Sequence, residues 1–352
     1  MNEWQALLDE MTADGELLER LEDGRLRCTA CAHRCTLAEG RRGICQVRFH
    51  RQGRLRVPYG YVAALHVDPI EKKPFNHLLP GRTALTFGML GCDFHCDFCQ
   101  NWQISQEYCD PLNGVPPALL QRTSPQELVR TAVRAGAAAL ISSYNEPLIT
   151  SEWAAAVFRE AKAAGLRTAY VSNGHATPEV LAYLRPHLDA YKIDLKSMQE
   201  RRYREMGGKL QAVLDSIAQA HGMGLWVEVV TLVIPGFNDS PEELWEAART
   251  LRALSADIPW HVTAFHPDYH HTQAEPTSAA LLQQAAEIGQ EAGLRYVYAG
   301  NRPGRVGSLE NTYCPQCALP LVQRRGFSVL ENAVTAQGKC PRCGAAIAGI
   351  WS

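Results

Sequence analysis

The chain has 352 residues, of which 46% are hydrophobic and 20% charged. This composition is that of a folded protein and excludes wholesale disorder, and the length predicts about two domains. With 35 basic and 37 acidic side chains and a formal charge of −2, the chain has no strong field that would attract nucleic acid or an anionic membrane.

The first twenty residues are acidic and helical in pattern, without the basic start and apolar stretch of a signal peptide. The longest apolar stretches are shorter than the roughly 20 residues that a membrane span requires. We therefore expect a cytoplasmic protein with no membrane partner. In that compartment thiols stay reduced, and clustered cysteines bind metal more often than they form disulfides.

The twelve cysteines are too many to be incidental core thiols. They form two groups of four, one group of three and a single residue. In chain order these are Cys28, Cys31, Cys35 and Cys45; Cys92, Cys96 and Cys99; Cys109; and Cys314, Cys317, Cys340 and Cys343. We expect Cys109 to be a passive thiol and the three groups to bind metal.

Between the middle and last groups, about 200 residues alternate short apolar segments with amphipathic helical ones, as βα units around a parallel sheet do. Ser124-Pro125 and Ser240-Pro241 are typical helix N-termini. The pattern predicts an α/β fold, either a partial (β/α)6-type barrel or a doubly wound sheet, with its site at the carboxyl ends of the strands. The predicted strands are Ala84–Leu90, Ala138–Ser142, Arg167–Val171, Ala190–Asp194, Leu225–Val233, Trp260–Ala264 and Tyr296–Ala299.

Three parts of unequal length are predicted. Residues 1–58 form an N-terminal helix and a small cysteine-rich module, residues 59–307 form the barrel, and residues 308–352 form a zinc-ribbon-like tail.

The middle group follows the first predicted strand in the segment GCDFHCDFCQNW, where Cys92, Cys96 and Cys99 have the spacing CxxxCxxC. Structural zinc takes four protein ligands, whereas a cluster of four irons held by three cysteines keeps one iron open. A zinc site completed by His95 or a distant residue is the alternative. The odd number of thiols favours a [4Fe–4S] cluster.

With this motif the chain resembles the radical S-adenosylmethionine superfamily, in which such a cluster binds and cleaves that cosubstrate. The resemblance implies that Phe98, the aromatic residue before the third cysteine, lies near the adenine. Asn145 and Glu146 in SSYNEP stand where the superfamily has a GGE-like segment that contacts the methionine amino group. Glu146 retains the ability to accept a hydrogen bond from an ammonium.

The strand ends VSNG, DLK and VIPG follow in order. Resemblance to glycyl-radical-activating enzymes implies that Asp194 and Lys196 approach the ribose and carboxylate of the cosubstrate, with Ser172 and Asn173 nearby. The alternatives are a strand-end lysine that extends to water and a plain turn at Asn173-Gly174.

A narrower resemblance covers the chain from about residue 25 to its end. The segments DPIEKKPFNHLLPG, CQNWQISQ, YNEP, YKIDLKS, LVIPGFNDS, WHVTAFHPDY, NTYCPQC and the terminal GIW are similar to the radical enzyme of the AmmeMemoRadiSam system. This implies an electron donor such as flavodoxin or ferredoxin, and Memo-like and AMMECR-like proteins as candidate partners.

The expected activity is therefore that of an oxidoreductase or transferase. It would cleave S-adenosylmethionine reductively to a 5′-deoxyadenosyl radical, which abstracts hydrogen from an unidentified small molecule or protein. A glycyl-radical-enzyme activase is the alternative, although no ferredoxin-type insertion follows Cys99. A zinc-binding nucleic-acid or scaffold module is an alternative of another class, which the near-neutral charge argues against.

Further polar residues lie where they could reach the same site. His266, in FHPDY after the sixth predicted strand, is assigned to the cosubstrate site, with a structural role as the equal alternative. The pair His270-His271 follows it. Glu71, Lys72 and Lys73 could cover the site or bind an anionic substrate, or be solvated charges; Asn301, Arg302 and Arg305 could bind an anion or cap the barrel.

The two outer groups differ in their spacing. Cys314, Cys317, Cys340 and Cys343 form two CPxC knuckles separated by 22 residues, which predicts a structural zinc site. The spacing of the N-terminal four allows either zinc or a second iron–sulfur cluster, and His33 adds a further potential zinc ligand. We expect zinc there, because the loop-rich segment is typical of a small knuckle.

Overall fold

The computed structural model describes residues 3–106 and 120–352, with side chains described from residue 6 onward. Cys109, which the sequence predicts to be a passive thiol, lies outside these residues. The described helices are α1 (Glu3–Glu10), α2 (Trp102–Ser105), α3 (Pro125–Arg134), α4 (Ser151–Ala163), α5 (Pro178–Leu184), α6 (Glu200–Glu205), α7 (Leu210–Gly222), α8 (Pro241–Leu254) and α9 (Ala279–Glu291).

The described strands include many of only two or three residues. They are β1 (Thr12–Asp14), β2 (Leu18–Arg20), β3 (Leu26–Cys28), β4 (Thr36–Leu37), β5 (Phe49–Arg51), β6 (Arg54–Pro58), β7 (Tyr61–Val62), β8 (Ala64–Pro69), β9 (Thr83–Gly88), β10 (Gln121–Arg122), β11 (Ala139–Ser142), β12 (Arg167–Ser172), β13 (Ala190–Asp194), β14 (Trp226–Val233), β15 (Trp260–Ala264), β16 (Val297–Gly300), β17 (Thr312–Tyr313), β18 (Pro320–Arg325) and β19 (Ser328–Asn332).

A mostly parallel sheet of eight strands forms the centre, in the order β16-β15-β14-β13-β12-β11-β9-β8. Its seven parallel strands lie within two residues of the seven predicted ones, so those predictions are confirmed. Because each strand lies beside its predecessor, the sheet is singly wound, and the doubly wound alternative, which reverses the strand order, is wrong. Within the described residues β8 and β16 do not pair with each other, so the sheet is open.

The antiparallel edge strand β8 was not predicted. It pairs with β9 in the register Ala64↔Gly88 to Pro69↔Thr83. Its side chains are half-buried or exposed, and Val67 is 44% exposed. A strand with neither face buried lacks the alternation of apolar and polar residues by which a strand is predicted.

Helices cover one face of the sheet, where Leu140, Tyr170 and Ile193 belong to the large core. The predicted caps start two of these helices: Ser124 closes a capping box with Glu127 before α3, and the Ser240 side chain accepts the backbone N–H of Glu243 before α8. None of the described helices is long and apolar enough to cross a membrane.

The opposite face of the sheet is filled by the chain itself. Alanines on four neighbouring strands leave room for Phe75 and Leu78 from the segment between β8 and β9. The C-terminal residues lie against that segment, where the Leu79 and Ile350 backbone N–H groups donate to Ile350 O and His77 O, both at 2.7 Å. The tail therefore packs at the amino ends of the strands, away from the predicted site.

Short strands form separate small sheets in the remaining parts. The N-terminal residues contain the sheets β1-β6-β5 and β2-β3-β4, and the tail contains β17-β18-β19. The boundaries predicted at residues 58 and 307 stay predictions.

Candidate active site

The loop with Cys92, Cys96 and Cys99 begins directly after β9, at the carboxyl edge of the parallel strands. Backbone contacts hold it: the His95 N–H donates to Met206 O at 3.0 Å, and the Gln106 side-chain amide donates to Phe94 O at 3.0 Å. Cys96 is buried, and Cys92 and Cys99 are partly buried. The loop is thus held by Met206, which follows α6 and is distant in sequence, and by Gln106, which follows α2.

Two glycines after α6 make room for this loop. A Cβ on Gly208 would lie 2.2 Å from the ring of Phe94, and one on Gly207 would lie 2.3 Å from the ring of His95. Gly207 also has φ +84°, a conformation that favours glycine. The rings of Phe94 and His95, between the first two cysteines, therefore pack directly against the backbone of the two glycines.

Asp93, beside Cys92, is a buried hub that the sequence did not indicate. Its carboxylate accepts the Asn173 side-chain amide at 2.8 Å and contacts His175 Nδ1 at 3.0 Å. Burial opposes ionisation, but the bond and charge of His175 outweigh it, so the pKa of Asp93 lies below its usual range. His33 Nε2 contacts the Asp93 backbone carbonyl at 3.0 Å. Asp93 thus joins the cysteine loop to the end of β12.

Glu146 lies after β11 and is tied to the end of β12. Its carboxylate accepts the Ser172 hydroxyl and the Asn173 backbone N–H, both at 2.7 Å, and the Leu148 N–H at 3.0 Å. Burial and the neighbouring Asp93 raise the pKa of Glu146 to about 8. The structure therefore brings Glu146, Ser172 and Asn173 together, and their contact with the cosubstrate stays a prediction.

The Asn145 side chain accepts a hydrogen bond from the backbone of a neighbouring strand end. Its Oδ1 accepts the Met89 N–H at 3.0 Å, which ties the loop after β11 to the end of β9. Tyr144 before it has φ +75° and packs where Gly88 has no side chain, since a Cβ there would lie 3.0 Å from Tyr144 Cβ.

Asp194 and Lys196 form a partly buried ion pair at the end of β13, with 3.0 Å between Lys196 Nζ and Asp194 Oδ2. A second ammonium, that of Lys192, pairs with the other carboxylate oxygen. Burial opposes the charge of Asp194, but the two lysines outweigh it and lower its pKa to about 2. Lys192 was not predicted as a site residue. Because residues two apart in a strand share a face, Lys192 lies on the same face as Asp194, the first residue of the DLK segment.

Asn238 positions two of the strand ends. Its side-chain amide donates to Lys196 O at 2.7 Å and Leu232 O at 2.8 Å, while its Oδ1 accepts the Ile234 N–H at 2.7 Å. The sequence signal was the Asn of FND directly after VIPG.

Phe98 and the three histidines after β15 differ in burial and in their contacts. Phe98 is buried, with its ring centroid 5.3 Å from that of Phe237 and 6.4 Å from that of His271. The His270 and His271 N–H groups donate to Asp97 O at 2.9 and 3.0 Å. His266 is exposed, with Nδ1 3.4 Å from Pro267 O, and the structure does not bring it into the buried group.

The charged segment before β9 contains one solvated lysine and one buried lysine. Lys72 is exposed and pairs with Asp68 at 2.8 Å. Lys73, 5% exposed, lies 3.2 Å from Asp68 Oδ2, 2.9 Å from the Tyr144 hydroxyl and 4.3 Å from the Tyr144 ring centroid. The solvated-charge alternative therefore holds for Lys72 only.

The last parallel strand, β16, is followed by Arg302, whose contacts are structural. Arg302 donates to Thr277 O through Nε at 3.0 Å and Nη2 at 2.6 Å. Glu71 lies elsewhere, buried near Arg324 at 3.7 Å.

The eleven cysteines of the described residues are free thiols. In the tail, Cys314 and Cys343 have their sulfurs 3.6 Å apart, as do Cys317 and Cys340. All four ligand atoms lie within 4.8 Å of one another. Zinc–sulfur bonds of about 2.3 Å in a tetrahedron place sulfurs roughly 3.8 Å apart, so the tail residues fit one metal ion.

Comparison with known proteins gives one match to a family model and one relative that aligns over nearly the whole chain. The family model of the radical SAM superfamily matches residues 87–251. The uncharacterized protein MJ0808 of Methanocaldococcus jannaschii is 35% identical over 329 residues, which are 93% of this chain and 96% of that protein.

More distant similarity is local. The isethionate sulfite-lyase activating enzyme of Nitratidesulfovibrio vulgaris is 30% identical over 134 residues, 36% of this chain, and the match spans only 43% of that enzyme. A domain of a pyruvate-formate lyase-activating enzyme from Bacteroides vulgatus superposes with a TM-score of 0.40 at 18% identity, over 46% of this chain and 99% of that domain. That likeness is too weak to carry an argument. From the family model, supported by the activating-enzyme relative, the chain belongs to the radical SAM superfamily.

Proposed function

We propose that the chain is a radical enzyme in which Cys92, Cys96 and Cys99 hold a [4Fe–4S] cluster that binds and cleaves S-adenosylmethionine. The single observation that carries this proposal is the convergence of polar side chains from three successive strand ends on the cysteine loop. Glu146 and Asn173 are buried at that edge and Asp194 is partly buried, and Glu146 and Asn173 contact each other directly.

Held by Cys92, Cys96 and Cys99, the cluster would supply the one electron that cleaves S-adenosylmethionine into methionine and a 5′-deoxyadenosyl radical. That radical would take a hydrogen atom from the substrate, giving 5′-deoxyadenosine and a substrate radical. The residues of this chain orient and enclose the reactants. Lys196 offers an ammonium to the cosubstrate carboxylate. Glu146 offers its carboxyl oxygens to the amino group, whose positive charge favours the ionised form although burial raises the pKa of Glu146 to about 8. Phe98, packed between Phe237 and His271, offers an apolar wall for the adenine.

The substrate is proposed to be a small molecule or protein that this system modifies. The colinear motifs of the AmmeMemoRadiSam system support Memo-like and AMMECR-like proteins as partners, and a flavodoxin or ferredoxin as electron donor. Two lysines share each of two carboxylates: Lys72 and Lys73 pair with Asp68, and Lys192 and Lys196 pair with Asp194. This excess of positive charge favours an anionic substrate group. For the tail, the sulfur spacing supports zinc.

A glycyl-radical-enzyme activase is the second candidate. The local similarity to the isethionate sulfite-lyase activating enzyme favours it, but that match leaves out most of this chain. Its distinguishing product would be a glycyl radical on a partner protein, which electron paramagnetic resonance detects.

The test is to purify the full chain without oxygen, reconstitute it with iron and sulfide, and add S-adenosylmethionine and a reductant. We expect the broad visible absorbance of an iron–sulfur cluster and release of 5′-deoxyadenosine. In Cys96→Ala we expect that release to be lost while tail zinc is retained. The matched variant Cys343→Ala should lose zinc and keep the release.

Release of 5′-deoxyadenosine by Cys96→Ala would overturn the assignment of the cluster. Failure of the wild-type protein to release it would favour the alternative of a zinc-binding nucleic-acid or scaffold module.

A further inference from the structure

The four N-terminal cysteines meet in the fold, although they span 18 residues of sequence. Cys28 ends β3, and its backbone N–H donates to Cys35 O at 2.9 Å. The Cys35 sulfur is 3.5 Å from the Cβ position of Gly43. A turn from Gly43 to Gln46, closed by a 2.9 Å backbone bond, carries Cys45. Cys28, Cys31 and Cys45 are each at most 7% exposed, and the Cys31 thiol interacts electrostatically with those of Cys28 and Cys45, so three of the four thiols are buried in one region.

Their spacing differs from that of the tail. Among the described residues, two groups of three or more potential ligands lie within 4.8 Å of one another. The tail cysteines are one group, whereas of the N-terminal four only Cys31 belongs to a group, with Asp93 and His175. Cys92, Cys96 and Cys99 form no such close group either. In the part of the chain that the structure describes, no three of the N-terminal sulfurs lie within 4.8 Å of one another, and the same holds for the proposed cluster site. A tetrahedral zinc ion places four sulfurs roughly 3.8 Å apart, so this spacing favours a cluster.

The imidazole that could have completed a zinc site is engaged elsewhere. His33 Nε2 lies 3.0 Å from the Asp93 carbonyl, and the ring packs on His175 with centroids 4.8 Å apart. The nearby cation is Arg48, 1% exposed, whose Nε donates to Cys28 Sγ at 3.2 Å. Hydrogen bonds to sulfur are one of the means by which proteins set the potential of iron–sulfur clusters.

This cysteine set also adjoins the active-site loop. The Cys31 sulfur lies within 4.8 Å of ligand atoms of both Asp93 and His175, and Asp93 is bonded in the chain to Cys92. The Ala32 N–H donates to His175 O at 2.9 Å. His175 is fully buried, and its Nε2 has no hydrogen-bond partner among the described residues. The unpartnered Nε2 is therefore available to a group held by the neighbouring cysteines.

We propose that Cys28, Cys31, Cys35 and Cys45 hold a second iron–sulfur cluster, which passes electrons to the cosubstrate-binding cluster across the contact of Cys31 with His175 and Asp93. This replaces the expected zinc site and rests on the proposed function. In each transfer a reduced flavodoxin or ferredoxin loses one electron, the second cluster gains it, and the cluster at Cys92, Cys96 and Cys99 then receives it. No bond or proton changes place.

The first measurement is metal content of the full chain, reconstituted without oxygen. Two cubane clusters and a tail zinc give about eight irons and about one zinc per chain. Cys35→Ser should lose about four irons and keep the zinc, and the matched variant Cys340→Ser should lose the zinc alone. About four irons with two zincs in the wild-type protein would overturn the proposal.

A second measurement does not depend on any variant folding. After reduction, electron paramagnetic resonance of the wild-type protein should contain two cluster signals, of which one changes when S-adenosylmethionine is added. One signal that shifts completely would contradict a second cluster. Wild-type protein with two signals but no release of 5′-deoxyadenosine would refute the proposed function and leave the second cluster standing.

The relay itself is tested by changing the reductant. In Cys35→Ser, cleavage driven by dithionite should persist, because a small reductant reaches the remaining cluster directly, whereas cleavage driven by reduced flavodoxin should be lost. Equal loss with both reductants, or retention with both, would refute the relay.

Discussion

Arg48 and Glu152 form a two-point ion pair inside the protein, with Nη1–Oε2 at 2.6 Å and Nη2–Oε1 at 2.8 Å. The arginine comes from the N-terminal module and the glutamate from α4. Their side chains are 1% and 4% exposed. The pair therefore joins the cysteine-rich module to the helix layer of the central sheet.

Breaking this pair should be costly. Glu152→Gln leaves the Arg48 charge buried without its partner, which typically costs about 3 to 5 kcal/mol of unfolding free energy. Denaturant unfolding of the metal-loaded protein measures it. Glu19→Gln, in the exposed pair with Arg27, is the control and should cost less than about 1 kcal/mol. Equal effects of the two variants would show that the buried pair does not anchor the module.

Gly208→Ala should disturb the active-site loop. The new Cβ would lie 2.2 Å from the Phe94 ring, so the ring between Cys92 and Cys96 must move. A misplacement of about 1 Å can lower a rate roughly 100-fold, and we expect a comparable drop in 5′-deoxyadenosine release, measured in a single turnover. Overpacking should also cost about 1 to 3 kcal/mol of unfolding free energy.

Two further variants show whether space is the cause. Adding Phe94→Leu to Gly208→Ala removes ring atoms and should restore part of the rate. Gly222→Ala, at the end of α7 with nothing within 4 Å of its Cβ position, should leave the rate unchanged. A Gly208→Ala protein with wild-type release would mean that the loop tolerates the displacement.

His77 should make the protein less stable in mild acid. Nδ1 lies 2.6 Å from Ala348 O, which only accepts, so Nδ1 carries the proton and Nε2 accepts from the Tyr298 hydroxyl at 2.6 Å. Burial lowers the pKa of His77 to about 4, with Glu228 opposing that shift and Arg324 and His261 adding to it.

The sign follows from linkage. Between pH 6.5 and about 4 the unfolded chain binds a proton at His77 and the folded chain does not, so stability falls as the pH falls. The contribution is about 3 kcal/mol in total. Unfolding free energies across that range should fall less steeply for His77→Gln than for the wild-type protein. Parallel curves would exclude His77 as the cause.

The sequence predicted the central strands because their signal is local. Each buried parallel strand is a short apolar run, as in Ala190–Asp194, whose predicted and observed bounds are the same. The polar residues after these runs also had to meet, because carboxyl ends of neighbouring parallel strands share an edge. Glu146, Ser172 and Asn173 do contact one another at that edge. The exposed edge strand β8 has no such signal and was missed.

What the sequence determined by itself was therefore the chemistry and the order of its parts: three cysteine groups of stated sizes along an α/β chain. Only the tertiary structure decided which distant residues support each group. Arg48 reaches Glu152 across 104 positions, and Cys31 adjoins Asp93 and His175. Such contacts depend on packing between segments far apart in the chain, and no periodicity or spacing along a single segment records them.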